Sequence, residues 1–235
     1  MTLSRRLLLA HGVGTLALLC AAQQRALALS LDQLSNADAA SGVKAALTKG
    51  AEVAVDLLGR PDGFLGNPQV RIGLPGQLEE AAGLLRRFGQ GARIDELITN
   101  INRAAEAAVP MGRDLLIGAV QKMTVTDAKN ILSGGDTAVT QFFADKTRAP
   151  LGQRFLPVVS QATEKVGLTQ QYNAIAGKAA SFGLVKAEDA NLQQYVTGKT
   201  LDGLYFMIGE QERKIRSNPA EAGSALLQKV FGASR

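Results

Sequence analysis

Apolar residues recur along most of this 235-residue chain with the spacing of amphipathic helices. Between residues 36 and 58 they stand at i, i+3, i+4 and i+7, which predicts a long helix with one core-facing side. Similar stripes predict further helices over Leu78–Phe88, Ile94–Ala108, Leu115–Met123, Val139–Phe143, Leu151–Val166, Tyr172–Ala179 and Leu192–Arg216. The Leu151–Val166 stripe keeps its spacing through Pro157, so one kinked helix is expected there. Asn218 and Pro219 are expected to cap a last helix.

Thr124 and Asp127 have the spacing of a capping box, which places a helix start at this point. No segment repeats, and no stretch has the composition of a linker. The pattern therefore predicts an all-α protein with a single multi-helix, bundle-like domain.

One segment interrupts the helical pattern. Residues 59–76 contain three of the seven prolines and five glycines, so no regular helix can run through them. Phe64, Leu65 and their apolar neighbours are unsuited to a solvated linker, and we predict an ordered loop packed onto the helices. Within it, residues 69–74 alternate as a short extended piece would, the only strand-like signal in the chain. We call residues 59–76 the Gly59–Gly76 loop.

Several polar residues near these apolar segments are candidates for a functional site. Asp62 and Asn67 are turn-formers that also offer oxygen ligands. Asp202 lies in a segment that is apolar nearly all round, so it is expected to be buried and to need a partner or a raised pKa. Lys199 is its nearest expected partner. A buried ion pair that fixes helix register is the commoner explanation, and a tuned or ligand-anchoring carboxylate is the functional one.

The full set of ligand-binding or structural-network candidates is Asp62, Phe64, Leu65, Asn67, Asn102, Arg103, Glu106, Lys199, Asp202 and Tyr205. Asn102 and Arg103 are included as more distant partners for Asp202. No residue is predicted to be catalytic, and no metal or cofactor is predicted.

The first 28 residues have the features of an export signal. Arg5 and Arg6 precede an uncharged apolar run, and Ala26-Leu-Ala28 fits the cleavage site. We expect cleavage after Ala28, a domain over residues 29–235, and a periplasmic location. A twin-arginine signal and an ordinary secretory signal fit equally well. Leu19 occupies a position where lipoprotein processing usually needs a small residue, which argues against lipidation of Cys20.

Cleavage would remove the only histidine and the only cysteine, His11 and Cys20. The mature chain would then lack Ser-His-Asp and Cys-His sites, zinc fingers, haem histidines and disulfides. Three of the 26 basic residues and none of the 21 acidic ones lie in the signal, so the formal charge falls from +5 to about +2. This balance does not support a nucleic-acid partner, and no later segment is long enough to span a membrane.

Four motifs make the chain similar to a known family. They are Gly-Arg-Pro-Asp-Gly-Phe-Leu-Gly-Asn-Pro from Gly59, Asn-Arg-Ala-Ala-Glu from Asn102, Met-Thr-Val-Thr-Asp-Ala-Lys-Asn-Ile-Leu-Ser-Gly-Gly-Asp from Met123, and Leu-Asp-Gly-Leu-Tyr-Phe-Met-Ile from Leu201. The chain resembles the bacterial exported proteins catalogued as domain of unknown function 4197. The resemblance implies export and a helical fold, and it implies no reaction and no catalytic residue.

The leading hypothesis is a non-enzymatic periplasmic binding module. It would hold an apolar or amphipathic ligand, or a partner helix, in a groove closed by the Gly59–Gly76 loop. One alternative is an envelope scaffold or assembly factor with envelope proteins as partners, which would have a large apolar patch instead of a pocket. The other is a hydrolase that uses Asp62, Glu106 and Asp202 without histidine or cysteine.

Overall fold

The apolar stripes form α-helices in the computed structural model, which describes residues 36–76, 79, 82–83, 86–135, 137–164, 168–181 and 190–218. In chain order these helices are α1 (Asn36–Leu58), α2 (Gly91–Ala108), α3 (Arg113–Gln121), α4 (Val125–Ser133), α5 (Ala138–Glu164), α6 (Leu168–Ser181) and α7 (Leu192–Ser217). The described ranges contain no β-strand, so the predicted all-α class is confirmed.

The predicted export signal and the predicted last helix after Asn218 lie outside the described residues. Within the described part of the chain, no helix combines the length and the apolar character that crossing a bilayer requires.

The core forms where α7 packs against α5 and α1, and where α5 also packs against α2. Its largest fully buried side chains are supplied by different helices and include Leu58, Ile101, Leu116, Phe143, Phe155 and Tyr205. Each helix therefore buries one apolar side against its neighbours, as the sequence periodicity predicts.

Helix α5 is a single helix of 27 residues, although Pro150 and Pro157 both lie inside it. The predicted continuity through Pro157 is confirmed, and the prediction of a separate helix at Val139–Phe143 is wrong. Buried residues recur at every fourth position through both prolines, at Val139, Phe143, Thr147, Leu151, Phe155 and Val159. An internal proline costs about 3 kcal/mol, whereas each large apolar side chain gains roughly 1.5–3 kcal/mol on burial. The continuous buried stripe therefore outweighs the two missing backbone hydrogen bonds.

The capping box at the start of α4 is confirmed. The Thr124 hydroxyl accepts from the Asp127 N–H at 3.1 Å, and the Asp127 carboxylate accepts from the Thr124 N–H at 2.9 Å. The hydrogen bonds from the Thr124 backbone and hydroxyl lower the pKa of Asp127.

The position of Phe88, in the turn before α2, differs from the prediction. Phe88 was expected at the end of a core-facing stripe, but it is 79% exposed. The chain leaves helical geometry at Phe88 and turns at Gly89, whose φ is +78°. Glycine tolerates this left-handed conformation, and the turn carries Phe88 away from the core before α2 begins at Gly91.

The Gly59–Gly76 loop is ordered and packed against the helices, as predicted. Phe64 is fully buried, and Val70 and Ile72 join the same core cluster. Burial alternates along residues 70–73, so the predicted period is present, but no strand forms. The backbone makes turns over most of the loop, and Asp62 has a positive φ of 64°. The loop is therefore part of the core although it has no regular secondary structure.

Gly203→Ala should reduce the free energy of unfolding by about 1–3 kcal/mol. A Cβ at this position would lie 2.8 Å from Phe64 Cε1 and 3.3 Å from Val70 Cβ, so the loop or α7 must shift. Urea unfolding followed by circular dichroism measures the change.

The matched control is Gly198→Ala on the same helix, where a Cβ meets no atom within 4 Å. Replacing this helical glycine should raise stability by about 0.5–1 kcal/mol. Equal effects of the two substitutions would contradict the close packing of Phe64 on α7.

Candidate functional site

Helix α2 presents two buried polar side chains, Asn102 and Glu106, to the Gly59–Gly76 loop. They are four residues apart and therefore lie on the same face of the helix. Asn102 is fully buried and Glu106 is 4% exposed. Buried polar groups are costly unless they are hydrogen-bonded, so their partners show what the face is built to hold.

Asn102 holds the second half of the loop. Its Oδ1 accepts from the Ile72 N–H at 2.8 Å, and its Nδ2 donates to the Ile72 carbonyl at 2.8 Å and to the Ile98 carbonyl at 2.7 Å. The side-chain amide thus satisfies both backbone groups of Ile72, which a neighbouring strand would satisfy in a sheet. This contact explains how a strand-like segment is stable without a strand beside it.

Glu106 holds the first half of the loop. Its Oε1 accepts from the consecutive N–H groups of Phe64 and Leu65 at 3.0 and 3.1 Å. Successive N–H groups in a turn form a concave anion site, and here a carboxylate of the same chain fills it. The loop and α2 are therefore joined by charge-assisted hydrogen bonds in the protein interior.

Arg103 extends this anchor to the surface. Its guanidinium donates to Glu106 Oε2 at 2.6 Å and to Asp62 Oδ1 at 2.8 Å. These hydrogen bonds, the one to Glu106 first, raise the pKa of Arg103. Arg103 therefore compensates the buried charge of Glu106 and fixes the turn at Asp62, which has a positive φ. The sequence motif from Asn102 to Glu106 is a loop anchor.

Asn67 and Tyr195 complete the fixed part of the loop. Asn67 Oδ1 accepts from the Gln69 N–H at 3.1 Å, which is the turn role predicted for it. Its Nδ2 lies 3.9 Å from Met207 Sδ on α7. The Tyr195 hydroxyl donates to the Gly73 carbonyl at 3.1 Å. Sequence reasoning missed Tyr195, because its partner is 122 positions away and no local pattern connects the two.

The expected burial of Asp202 is wrong. Its side chain is 51% exposed, and its carboxylate accepts from Arg148 Nη2 at 2.5 Å. The predicted partner Lys199 is more distant, at 4.0 Å, and Asn102 and Arg103 bind the loop instead. Asp202 lies on a side of α7 that the apolar neighbours Leu201, Gly203 and Leu204 do not cover, and Arg148 on α5 reaches it there.

Tyr205 has a structural position beneath this ion pair. The residue is buried, and its hydroxyl lies 3.0 Å from Thr147 Oγ1. Burial raises the pKa of Tyr205. The guanidinium carbon of Arg148 lies 5.5 Å from the centre of its ring, which places the cation over the aromatic face.

An open groove of about 510 Å³ lies between the Gly59–Gly76 loop and α7. Residues 69–73 of the loop form one wall and a single face of α7 forms the other. The lining includes Val70, Arg71, Gly73, Tyr195, Lys199 and Phe206. Arg71 is exposed and has no acidic partner in the described ranges.

Of the predicted candidates, Lys199 and Asp202 line this groove. Phe64 is buried in the core, and the half-buried Leu65 bonds to Glu106 through its backbone.

Two further cavities, of about 540 and 390 Å³, share Asp127, Phe142 and Lys146 on α4 and α5. Among the residues that the structure describes, no group of three or more His, Cys, Asp or Glu side chains is arranged to hold a metal ion.

Asn102→Ala should lower the free energy of unfolding by about 2–4 kcal/mol, because it leaves the buried N–H and carbonyl of Ile72 without partners. Chemical denaturation measures the loss. Thr99→Ala is the control, because in the described ranges its half-buried side chain bonds only to the Asp95 carbonyl of the same helix, and it should change stability by less than about 0.5 kcal/mol. Equal stability of Asn102→Ala and the wild type would contradict the anchoring role.

No curated protein and no solved structure matches the chain. The sequence model of the family described as "Protein of unknown function (DUF4197)" matches residues 33–232, which is most of the chain. The match covers the loop and the anchor on α2, and it agrees with the resemblance carried by the four sequence motifs. The chain therefore belongs to the family described as Protein of unknown function (DUF4197).

Proposed function

We propose that the protein is a non-enzymatic binding module, and that the groove between the Gly59–Gly76 loop and α7 holds an amphipathic ligand. The observation that carries this proposal is the anchoring of the loop by the buried side chains of Asn102 and Glu106. A loop held in this way gives the groove a wall that is fixed before the ligand arrives. A preorganised site loses less entropy on binding than a mobile one.

The lining of the groove supports an amphipathic ligand with an anionic group. Val70 and Phe206 offer apolar surface, while Arg71 and Lys199 offer positive charge. The acidic residue of the groove, Asp202, already accepts from Arg148 on α5. Lys199 lies 4.0 Å from Asp202, so Arg71 is the groove cation that is available to a ligand among the described residues.

The contacts of the three candidate carboxylates favour binding over hydrolysis. Both oxygens of Glu106 are occupied, by two backbone N–H groups and by Arg103. Asp62 accepts from Arg103 and Asp202 from Arg148. A general acid or base must reach a substrate proton, and none of these carboxylates is left without a cation or donor on it.

A scaffold function is the second candidate, because Phe88 is 79% exposed on the turn before α2. An exposed aromatic side chain is a typical contact in a protein–protein interface. Both functions would operate in the periplasm, after removal of residues 1–28.

Native mass spectrometry of the protein exported in a bacterial host and purified without detergent tests the proposal. We expect a chain that begins at Leu29 and carries a non-covalent adduct. Arg71→Glu should bind the released adduct about tenfold more weakly, since it replaces attraction by repulsion. Arg60→Glu, at an exposed position of the same loop outside the groove, should bind it like the wild type.

Two results would contradict the binding function. One is a wild-type protein without any adduct, which would favour the scaffold function. The other is an adduct that Arg71→Glu and Arg60→Glu bind equally well, which would move the ligand to another site.

A further inference from the structure

Building on the proposed binding function, we propose that the ligand of the groove is an extended peptide segment that bonds to the Arg71 carbonyl and the Gly73 N–H and presents an acidic side chain to Arg71. The inference names the class of ligand for that groove and rests on the backbone of the loop, which the binding function alone does not require.

The backbone of Ile72 is extended. One side-chain amide, that of Asn102, bonds to both the N–H and the carbonyl of this residue, each at 2.8 Å. The backbone N–H and the carbonyl of one residue point to the same side only when the backbone is extended. Burial alternates from residue to residue over residues 70–73, which is the two-residue period of an extended strand. Ile72 therefore behaves as a strand residue with one edge occupied by α2.

The backbone edge on the other side of Ile72, away from Asn102, lies beside the groove. In an extended chain the neighbours of Ile72 direct their backbone groups away from Asn102. On that edge the Gly73 carbonyl accepts from the Tyr195 hydroxyl, which belongs to the α7 wall of the groove. The Arg71 N–H donates to the Asn67 carbonyl at 2.9 Å. The contact between Gly73 and Tyr195 thus places this edge beside the groove.

Two groups of the edge have no partner in the described part of the chain, the Arg71 carbonyl and the Gly73 N–H. Both residues are exposed and both line the groove. A carbonyl and an N–H two residues apart on the same edge are the pair that bonds to a single residue of a parallel neighbouring strand. Adding a strand to an exposed backbone edge is an established way for proteins to bind peptides.

The size and charge of the groove match a short extended peptide with an acidic side chain. Its α7 wall extends from Tyr195 to Phe206, about 16 Å along the helix. About five residues of extended chain cover that length. Alternate side chains of such a segment would face the apolar floor at Val70 and Phe206, and the unpaired cation of Arg71 favours an acidic residue among them.

A lipid or another acyl chain fits these features less well. Apolar small molecules are usually held in concave sites that bury most of their surface. This groove is open, and its lining includes charged side chains and backbone polar groups as well as Val70 and Phe206. A peptide backbone can satisfy such polar groups, whereas an acyl chain would cover them without a hydrogen bond.

The test uses a phage-displayed library of random heptapeptides, panned against the protein over residues 29–235. The enriched peptides are then synthesised with a fluorophore and titrated by anisotropy. Gly73→Pro replaces the N–H with a ring carbon at the position where the peptide carbonyl would bond. The substitution should be tolerated, because the N–H has no partner, the φ of Gly73 is not positive and the preceding Ile72 is already extended.

Gly73→Ala is the matched control, because it keeps the N–H and its Cβ meets no atom within 4 Å. We expect wild type and Gly73→Ala to bind the enriched peptides equally, and Gly73→Pro to bind them about tenfold or more weakly. Arg71→Glu is a second variant that leaves the backbone intact, and it should select against peptides with acidic residues.

The outcomes separate this inference from the binding function itself. Equal binding by Gly73→Pro and Gly73→Ala, or a library without enriched peptides, overturns the peptide assignment. If native mass spectrometry at the same time finds a small-molecule adduct that Arg71→Glu binds more weakly than the wild type, the binding function stands with a different ligand. If no adduct is found either, both proposals fail.

Discussion

The carboxylate of Glu106 is buried on α2, where it accepts hydrogen bonds from the consecutive N–H groups of Phe64 and Leu65. The loop's own backbone hydrogen bonds are turn contacts that do not include the N–H groups of Phe64, Leu65 and Ile72, so these groups need partners from outside the loop. Glu106 supplies them at one end and Asn102 at the other. With these bonds in place, Phe64 and Ile72 can join the apolar core.

This constraint links the fold to the proposed function. Ile72, which Asn102 of α2 fixes, lies in the part of the loop that forms one wall of the groove against α7. Asn102 occupies one edge of Ile72, which leaves the opposite edge of residues 71–73 toward Tyr195 and the groove. Asn102 thus stabilises the loop and places two backbone groups, the Arg71 carbonyl and the Gly73 N–H, beside the groove.

The sequence predicted features that depend on local spacing: the helices, the Thr124–Asp127 cap and the packing of Phe64. It named Asn102 and Arg103 as distant partners for Asp202 and Glu106 as a candidate carboxylate, but it did not predict that all three hold the loop. Charge and apolarity do not identify partners far apart in the chain. Arg148 lies 54 positions from Asp202, and Glu106 lies 42 from Phe64. Such pairs depend on how whole helices pack, which no local pattern contains.

Hydrogen exchange at the amides of Phe64 and Leu65 tests the anchoring role of Glu106 most directly. Wild type should protect both N–H groups, and Glu106→Gln should accelerate their exchange by roughly tenfold, because a neutral amide oxygen accepts these hydrogen bonds more weakly than a carboxylate does. Glu210→Gln, which removes an ion pair with Arg213 near the surface, should leave both rates unchanged. Unchanged exchange in Glu106→Gln would contradict the account, since the loop would then be held by packing alone.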